Sequence, residues 1–231
     1  MGELAPRNLT QTGRREITHL LRSHDLVVSA LVCPLRNGID VAENLEPRLE
    51  QIRDAMALAF ELGPRLVVIP VGKFAAPAKP ADESAAVLLS PQANLLRESL
   101  DALGRHGDRT GVTVALQAGL DDPADVVAYL GSFDRGSLGV AFNPAHLVLN
   151  TFNPYEAVRT LHGRISYVHA QDARRVSPSK LATVPLGHGD IDWVQLLANF
   201  EEVGYRGHVT VLADDAAELG AGVAFLRRFI A

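Results

Sequence analysis

The chain has a single cysteine, no long apolar run and no excess of basic charge, and each shortage removes a class of protein. Cys33 has no partner anywhere in the 231 residues, so a disulfide framework is excluded and a reducing compartment is expected. A zinc site built on thiolates lacks its ligands for the same reason. The longest apolar stretches, around Leu26 to Leu35 and Leu66 to Val71, fall far short of the roughly 20 residues that span a bilayer. The opening residues, MGELAPRNLT, hold no apolar secretory core, and Pro6 stands where a myristoylation signal needs Ser or Thr. Lys and Arg number 22 against 27 Asp and Glu, a formal net charge of −5, and Arg14-Arg15, Arg174-Arg175 and Arg227-Arg228 are isolated pairs. A surface that grips phosphate backbones is not expected from such a balance. The expected protein is cytoplasmic, with neither a nucleic-acid nor a membrane partner.

What is present suits a packed core. Hydrophobic residues make up 47% and charged residues 21%, too apolar and too weakly charged for a disordered chain. No linker, repeat or low-complexity tract interrupts the sequence, so residues 1–231 are expected to form one domain. Short runs rich in β-branched residues recur at Leu26–Cys33, Leu66–Val71, Val112–Gln117, Leu138–Asn143, Ile165–His169 and Val209–Ala213, each of strand length. Helical patterns lie between them. One carries Leu49, Ile52, Met56 and Ala59 on a single face up to Gly63, and another carries Trp193, Leu196, Leu197, Phe200 and Val203 up to Gly204. Ser90-Pro91, Asp122-Pro123 and Asn153-Pro154 each place a capping side chain before a proline at the first helical position, with stops expected near Gly104, Gly131 and Gly163.

Alternating strands and helices with nearly continuous apolar strands imply a parallel sheet covered by helices. A doubly wound dinucleotide fold would show a glycine fingerprint after an early strand. Gly187-His188-Gly189 has Asp192 at the third glycine position, follows no strand directly, and no phosphate loop occurs elsewhere. The two long connections, Gly72–Glu83 and Asp172–His188, both follow expected strands. Polar side chains gather at the strand ends: Lys73, Gln117, Asn143, His146, His169, Asp172, Asp214 and Asp215. In a parallel α/β protein these ends share one face, so residues distant in sequence converge there.

Five ordered motifs carry a family resemblance. Leu116-Gln117-Ala118 is similar to a strand ending in Leu-Glu-Asn, Asn143-Pro144-Ala145-His146 to Asp-x-x-His, and His169-Ala170-Gln171-Asp172 to His-x-x-Asp. Gly187-His188-Gly189-Asp190-Ile191-Asp192 matches a G-x-G-D-I-D turn, and Gly204-Tyr205-Arg206-Gly207 precedes the last strand. Together they resemble the sugar phosphate isomerase/epimerase family, the xylose-isomerase-like TIM barrels, over nearly the whole chain. The resemblance implies a TIM (β/α) barrel of that type and a divalent metal (Mn, Mg, Co or Zn) held by Glu, Asp, His and Glu at four strand ends. Those positions correspond to Gln117, Asn143, His169 and Leu212, so only His169 remains as an ordinary ligand. A hard cation needs anionic oxygens, and tight binding of the family's metal is therefore not expected.

The resemblance further places Gln117, Asn143, His146, His169, Asp172 and Arg175 around a small sugar or sugar phosphate, and Lys73, at a strand end, could assist with an anionic group. Asp214, one pleat beyond Leu212 on the same side of the strand, could reach the mouth, and Asp172 could orient His169 by hydrogen bond. Three functions remain: a sugar isomerase or epimerase, a catalytically silent sugar-binding or interaction protein with a degenerate metal site, and an apurinic-site endonuclease. The missing ligands and the net charge of −5 weigh against the endonuclease. Only six strands are visible where a full barrel has eight. The first strand, first helix and second strand are expected to be absent, which leaves two open edges. Either a homodimer covers those edges or the gene product begins upstream of Met1.

Overall fold

In a computed structural model of the protein, residues 4–74, 90–177 and 180–229 are described. Two compact units emerge, Met1–Leu116 with Ser132–Gly139, and Gln117–Gly131 with Val140–Ala231.

The first unit contains helices α1 (Gln11–Ser23), α2 (Leu45–Leu62) and α3 (Pro91–Thr110) and strands β1 (Leu31–Val32), β2 (Leu66–Pro70) and β3 (Thr113–Gln117). Its strands run in the order β1-β2-β3, with β1 and β2 parallel. Ile52, Met56 and Ala59 of α2 and Val67, Val68 and Ile69 of β2 are completely buried, as the helical and strand periods require. The strand expected over Leu26–Cys33 shrinks to Leu31–Val32. Leu31 and Val32 pair with Val67 and Val68, so residues before Ala30 would face positions before the start of β2, and Leu26 and Val27 are 57% and 79% exposed.

The helix expected to stop near Gly104 continues to Thr110, and Gly111, at φ +69°, ends it. Gly104 and Gly107 serve a close approach instead. A Cβ on Gly107 would lie 2.5 Å from the Val112 carbonyl oxygen and 2.6 Å from Ser137 Oγ. A glycine in the interior of a helix thus reads from sequence like a terminator. Of the connection Gly72–Glu83, residues beyond Phe74 lie outside the described residues.

The second unit contains β4 (Leu138–Phe142, entering from the first unit), β5 (Ile165–Ala170) and β8 (Val209–Val211), parallel and in the order β4-β5-β8. Around them lie α4 (Pro123–Gly131), α5 (Pro144–Leu149), α6 (Pro154–Thr160), α7 (Trp193–Glu202) and α8 (Ala216–Leu226). The caps expected at Asn153 and Ser90 are formed, and Asp192 caps α7 by accepting from the Gln195 N–H. The connection Asp172–His188 is not a plain loop. It holds an antiparallel hairpin of β6 (Asp172–Ser177) and β7 (Lys180–Val184), with Asp172 opposite Val184 and Arg175 opposite Leu181. Most of its side chains are exposed or half-buried, so no buried apolar face marked it in the sequence.

Alternation along the strands decides which residues reach the site. Phe142 turns toward α7 and meets Phe200 edge-on, ring centroids 5.2 Å apart. Asn143 therefore faces the opposite side of the sheet. On β5, Val168 and Ala170 alternate in the same way with Tyr167 and His169, and Gln171 follows the strand.

Candidate functional site

Asn143 sits at the junction of β4 and α5, and its side chain has two partners. Its Oδ1 accepts from the His146 N–H at 3.2 Å and caps the short helix, while its Nδ2 donates to Gln171 Oε1 at 2.9 Å. The amide is 3% exposed, so these two bonds meet most of its polar demand. They also join the end of β4 to the end of β5. His146 is half-buried on the first turn of α5. Gly119, in the turn after Gln117 at φ +139°, lies so close to it that an added Cβ would sit 2.7 Å from the His146 Cβ. Only glycine tolerates both that φ and that approach.

His169 is the least ordinary group. It is 3% exposed, and among the described residues neither ring nitrogen has a hydrogen-bond partner. Tyr167 meets it edge-on at 5.0 Å. Burial, with a smaller contribution from the neighbouring His146, lowers its pKa to about 4, and burial likewise lowers that of His146. Both imidazoles are thus neutral near pH 7. A neutral imidazole offers one donor and one acceptor, and leaving them unpaired costs roughly 1–3 kcal/mol.

Asp172 does not orient His169, whose nitrogens are unpartnered. It is 1% exposed, and its carboxylate accepts from the Ala173, Gly187 and Ile191 N–H groups and from Trp193 Nε1. A Cβ on Gly189 would collide with that carboxylate, so the Gly-His-Gly turn is shaped around a buried anion. Arg175 is exposed on the hairpin, where its N–H donates to Asp190 Oδ2. Gln117, half-buried, closes β3. Lys73 is exposed in the first unit, past the end of β2.

A cavity of about 240 Å³ opens in the second unit, lined among others by Gln171, Thr183, Leu212, Ala213, Asp214 and Glu218. Its size suits a small ligand, just below the roughly 300–1,000 Å³ usual for such pockets. Asp214 does line it together with Leu212, although not through strand alternation, because β8 ends at Val211 and Asp214 belongs to the turn before α8. Sequence reasoning passed over Gln171, Thr183 and Glu218. The place of Gln171 directly after the strand that carries His169 was the available signal for it. The other two depend on the hairpin and on the cap of α8. Among the described residues, no three His, Cys, Asp or Glu side chains are grouped to hold a metal ion, and no helix is long and apolar enough to cross a membrane.

A family model described as "Xylose isomerase-like TIM barrel" matches residues 2–229. The chain is similar to the uncharacterized protein MJ1311 of Methanocaldococcus jannaschii, with 26% identity over 171 residues, 71% of this chain and 55% of that protein. The chain thus spans about half the length of that relative. Among solved structures, a xylose isomerase domain protein from Planctomyces limnophilus superposes with a TM-score of 0.82 at 20% identity, covering 95% of this chain and 83% of the other. A D-tagatose 3-epimerase-like protein superposes with a TM-score of 0.77 at 19% identity, covering 96% and 84%. Identities at this level speak for the fold.

Proposed function

The chain belongs to the xylose isomerase-like TIM barrel family, and from that premise we propose that it binds a small carbohydrate at the ends of β4, β5 and β8 without the family's tightly held metal. The observation that carries the reading is His169, an imidazole almost wholly buried with both nitrogens unpartnered, beside the Asn143–Gln171 amide pair. A hydroxyl donates and accepts at once, and a polyol presents several, so such a ligand supplies what this buried set lacks. A D-tagatose 3-epimerase-like fold at 0.77 TM-score supports a sugar as the partner.

The metal implied by the family does not fit the residues present. Gln117, Asn143 and Leu212 replace three acidic ligands, and a hard divalent cation held by amides and one imidazole would be neither neutralised nor repaid for its dehydration. No catalytic step is therefore assigned through a metal. Gln117 and Leu212 also leave the family's two proton-carrying glutamates without counterparts. A catalytically silent sugar-binding protein is the second reading, favoured by that same loss.

The two units are proposed to form one domain, because the family match runs through both. A homodimer is proposed through the outer strands: Val32 of β1 is 54% exposed, and a groove of about 690 Å³ containing Val209, Val194 and Phe229 flanks β8. Cytoplasmic residence is proposed on the free, buried Cys33. The formal charge of −5 leaves nucleic acid without support as a partner.

Titration calorimetry with a panel of free ketoses and aldoses, followed by epimerisation and isomerisation assays on those that bind, tests the reading. Saturable binding that His169→Leu abolishes is expected. Binding that survives this substitution would place the ligand elsewhere, and turnover without added metal would remove the silent alternative.

A further inference from the structure

We propose that Asp214 and Glu218 select the ligand by charge, so that the carbohydrate taken by this site is unphosphorylated and carries no other anionic group. The inference rests on the carbohydrate reading above and narrows it. Among the described residues lining the cavity of about 240 Å³ there are two carboxylates, Asp214 and Glu218, and no Lys, Arg or His. On the neighbouring hairpin, Arg174 Nε lies 4.0 Å from Asp190 Oδ1, and neither Arg174 nor Arg175 is among the residues that line the cavity. Thr183, level with Ala173 in the hairpin, presents a hydroxyl to the cavity wall and no charge.

The N-terminus of α8 points the other way at first sight, because exposed N–H groups at a helix start attract anions. Here the N–H groups of Ala217 and Glu218 are already taken. Asp215 Oδ1 accepts from the Ala217 and Glu218 N–H groups at 2.8 Å, and Glu218 Oε2 accepts from the Asp214 N–H at 3.2 Å. This reciprocal cap holds the Glu218 carboxylate at the rim and takes up the Asp214, Ala217 and Glu218 N–H groups. A carboxylate only accepts hydrogen bonds, and sugar hydroxyls supply the matching donors. A phosphate, with a charge of about −1.5 to −2 near neutral pH, brings further acceptors and like charge.

The test is calorimetric titration of the whole chain with D-tagatose, D-fructose and their 6-phosphates, at 20 and 200 mM salt. The free ketose is expected to bind at least about tenfold more tightly than its phosphate, with the gap widening at low salt as screening falls. In the double variant Asp214→Asn, Glu218→Gln, which keeps the oxygen acceptor of the cap, the gap is expected to close. Phosphates binding as tightly as free ketoses to the unaltered protein overturn the inference while leaving the carbohydrate reading standing. Selectivity unchanged in a folded double variant overturns it as well. If neither form binds, the carbohydrate reading fails and the inference falls with it. The comparison on the unaltered protein stands even if the variant does not fold.

Discussion

At the scale of single residues, the protein carries costs that a purely structural design would avoid. His169 is buried with two unpaired nitrogens. His169→Leu is expected to raise stability at pH 7 by roughly 1–2 kcal/mol in urea denaturation, because it removes an unpaid desolvation cost, while carbohydrate binding is lost. The pH dependence has a definite sign. The folded-state pKa of about 4 lies below the ordinary 6.5, so the unfolded chain takes up the proton more readily. The contribution of His169 is complete above pH 6.5 and fades as the pH falls toward 4. From pH 7 to pH 4 the gap between His169→Leu and the unaltered protein is expected to widen by roughly 3 kcal/mol. A constant gap would show that the imidazole is not held neutral.

Thr151, which follows α5 at φ +67°, is a second such residue. A β-branched side chain in the left-handed region is strained. Thr151→Gly is expected to stabilise by about 0.5–1 kcal/mol, the strain relieved slightly exceeding the added chain entropy. It should leave ligand affinity unchanged, and a loss of affinity would instead tie the strained turn to the site.

At the scale of elements, the Gly187–Trp193 turn depends on a single buried carboxylate. Asp172→Asn cannot accept four hydrogen bonds without turning an N–H₂ group toward donors. A loss of roughly 2–4 kcal/mol is expected, and Trp193, the only tryptophan, should report it by an altered fluorescence maximum. Gly119→Ala tests a different junction. It would push the β3–α4 turn off His146, and binding is expected to fall at least tenfold while the fold survives. Unaltered affinity would show that the position of His146 does not matter.

The same elements show why some features were legible in the sequence and others were not. Ser90 and Asn153 announced their helices because capping is local chemistry between residues two or three apart. The β6–β7 hairpin was invisible because its side chains are mostly solvated, which leaves no two-residue apolar period. Gly104 and Gly107 misled because their role depends on Ser137, Leu138 and Arg135, some thirty residues away in the chain. Asn143 and His169 were identified from the motif, but the unpartnered state of His169 and the Asn143–Gln171 bond are three-dimensional facts with no local signature.

At the scale of the molecule, the family pattern and the composition of its strand ends pull apart. The strands, helices and turn motifs are those of a xylose isomerase-like TIM barrel, and the match extends over residues 2–229. The strand ends themselves carry Gln117, Asn143 and His169, and Leu212 follows the last strand. Packing and site chemistry are separable here because alternation puts the apolar contacts, such as Phe142 against Phe200, on one face of the sheet and the site on the other. Replacement of residues on the site face can thus change the chemistry there while the helices stay packed. The outer strands make a separate prediction. If they pair across a homodimer, a Val32→Lys variant should shift the mass measured by light scattering from dimer to monomer, and a monomeric unaltered protein would contradict the pairing.

The central claim is a carbohydrate site that works without metal. Calorimetric titration of a free ketose into protein stripped with EDTA, repeated with saturating Mn²⁺, tests it most directly. The predicted result is saturable binding of the same affinity in both conditions. Binding that appears only when Mn²⁺ is present would contradict the account.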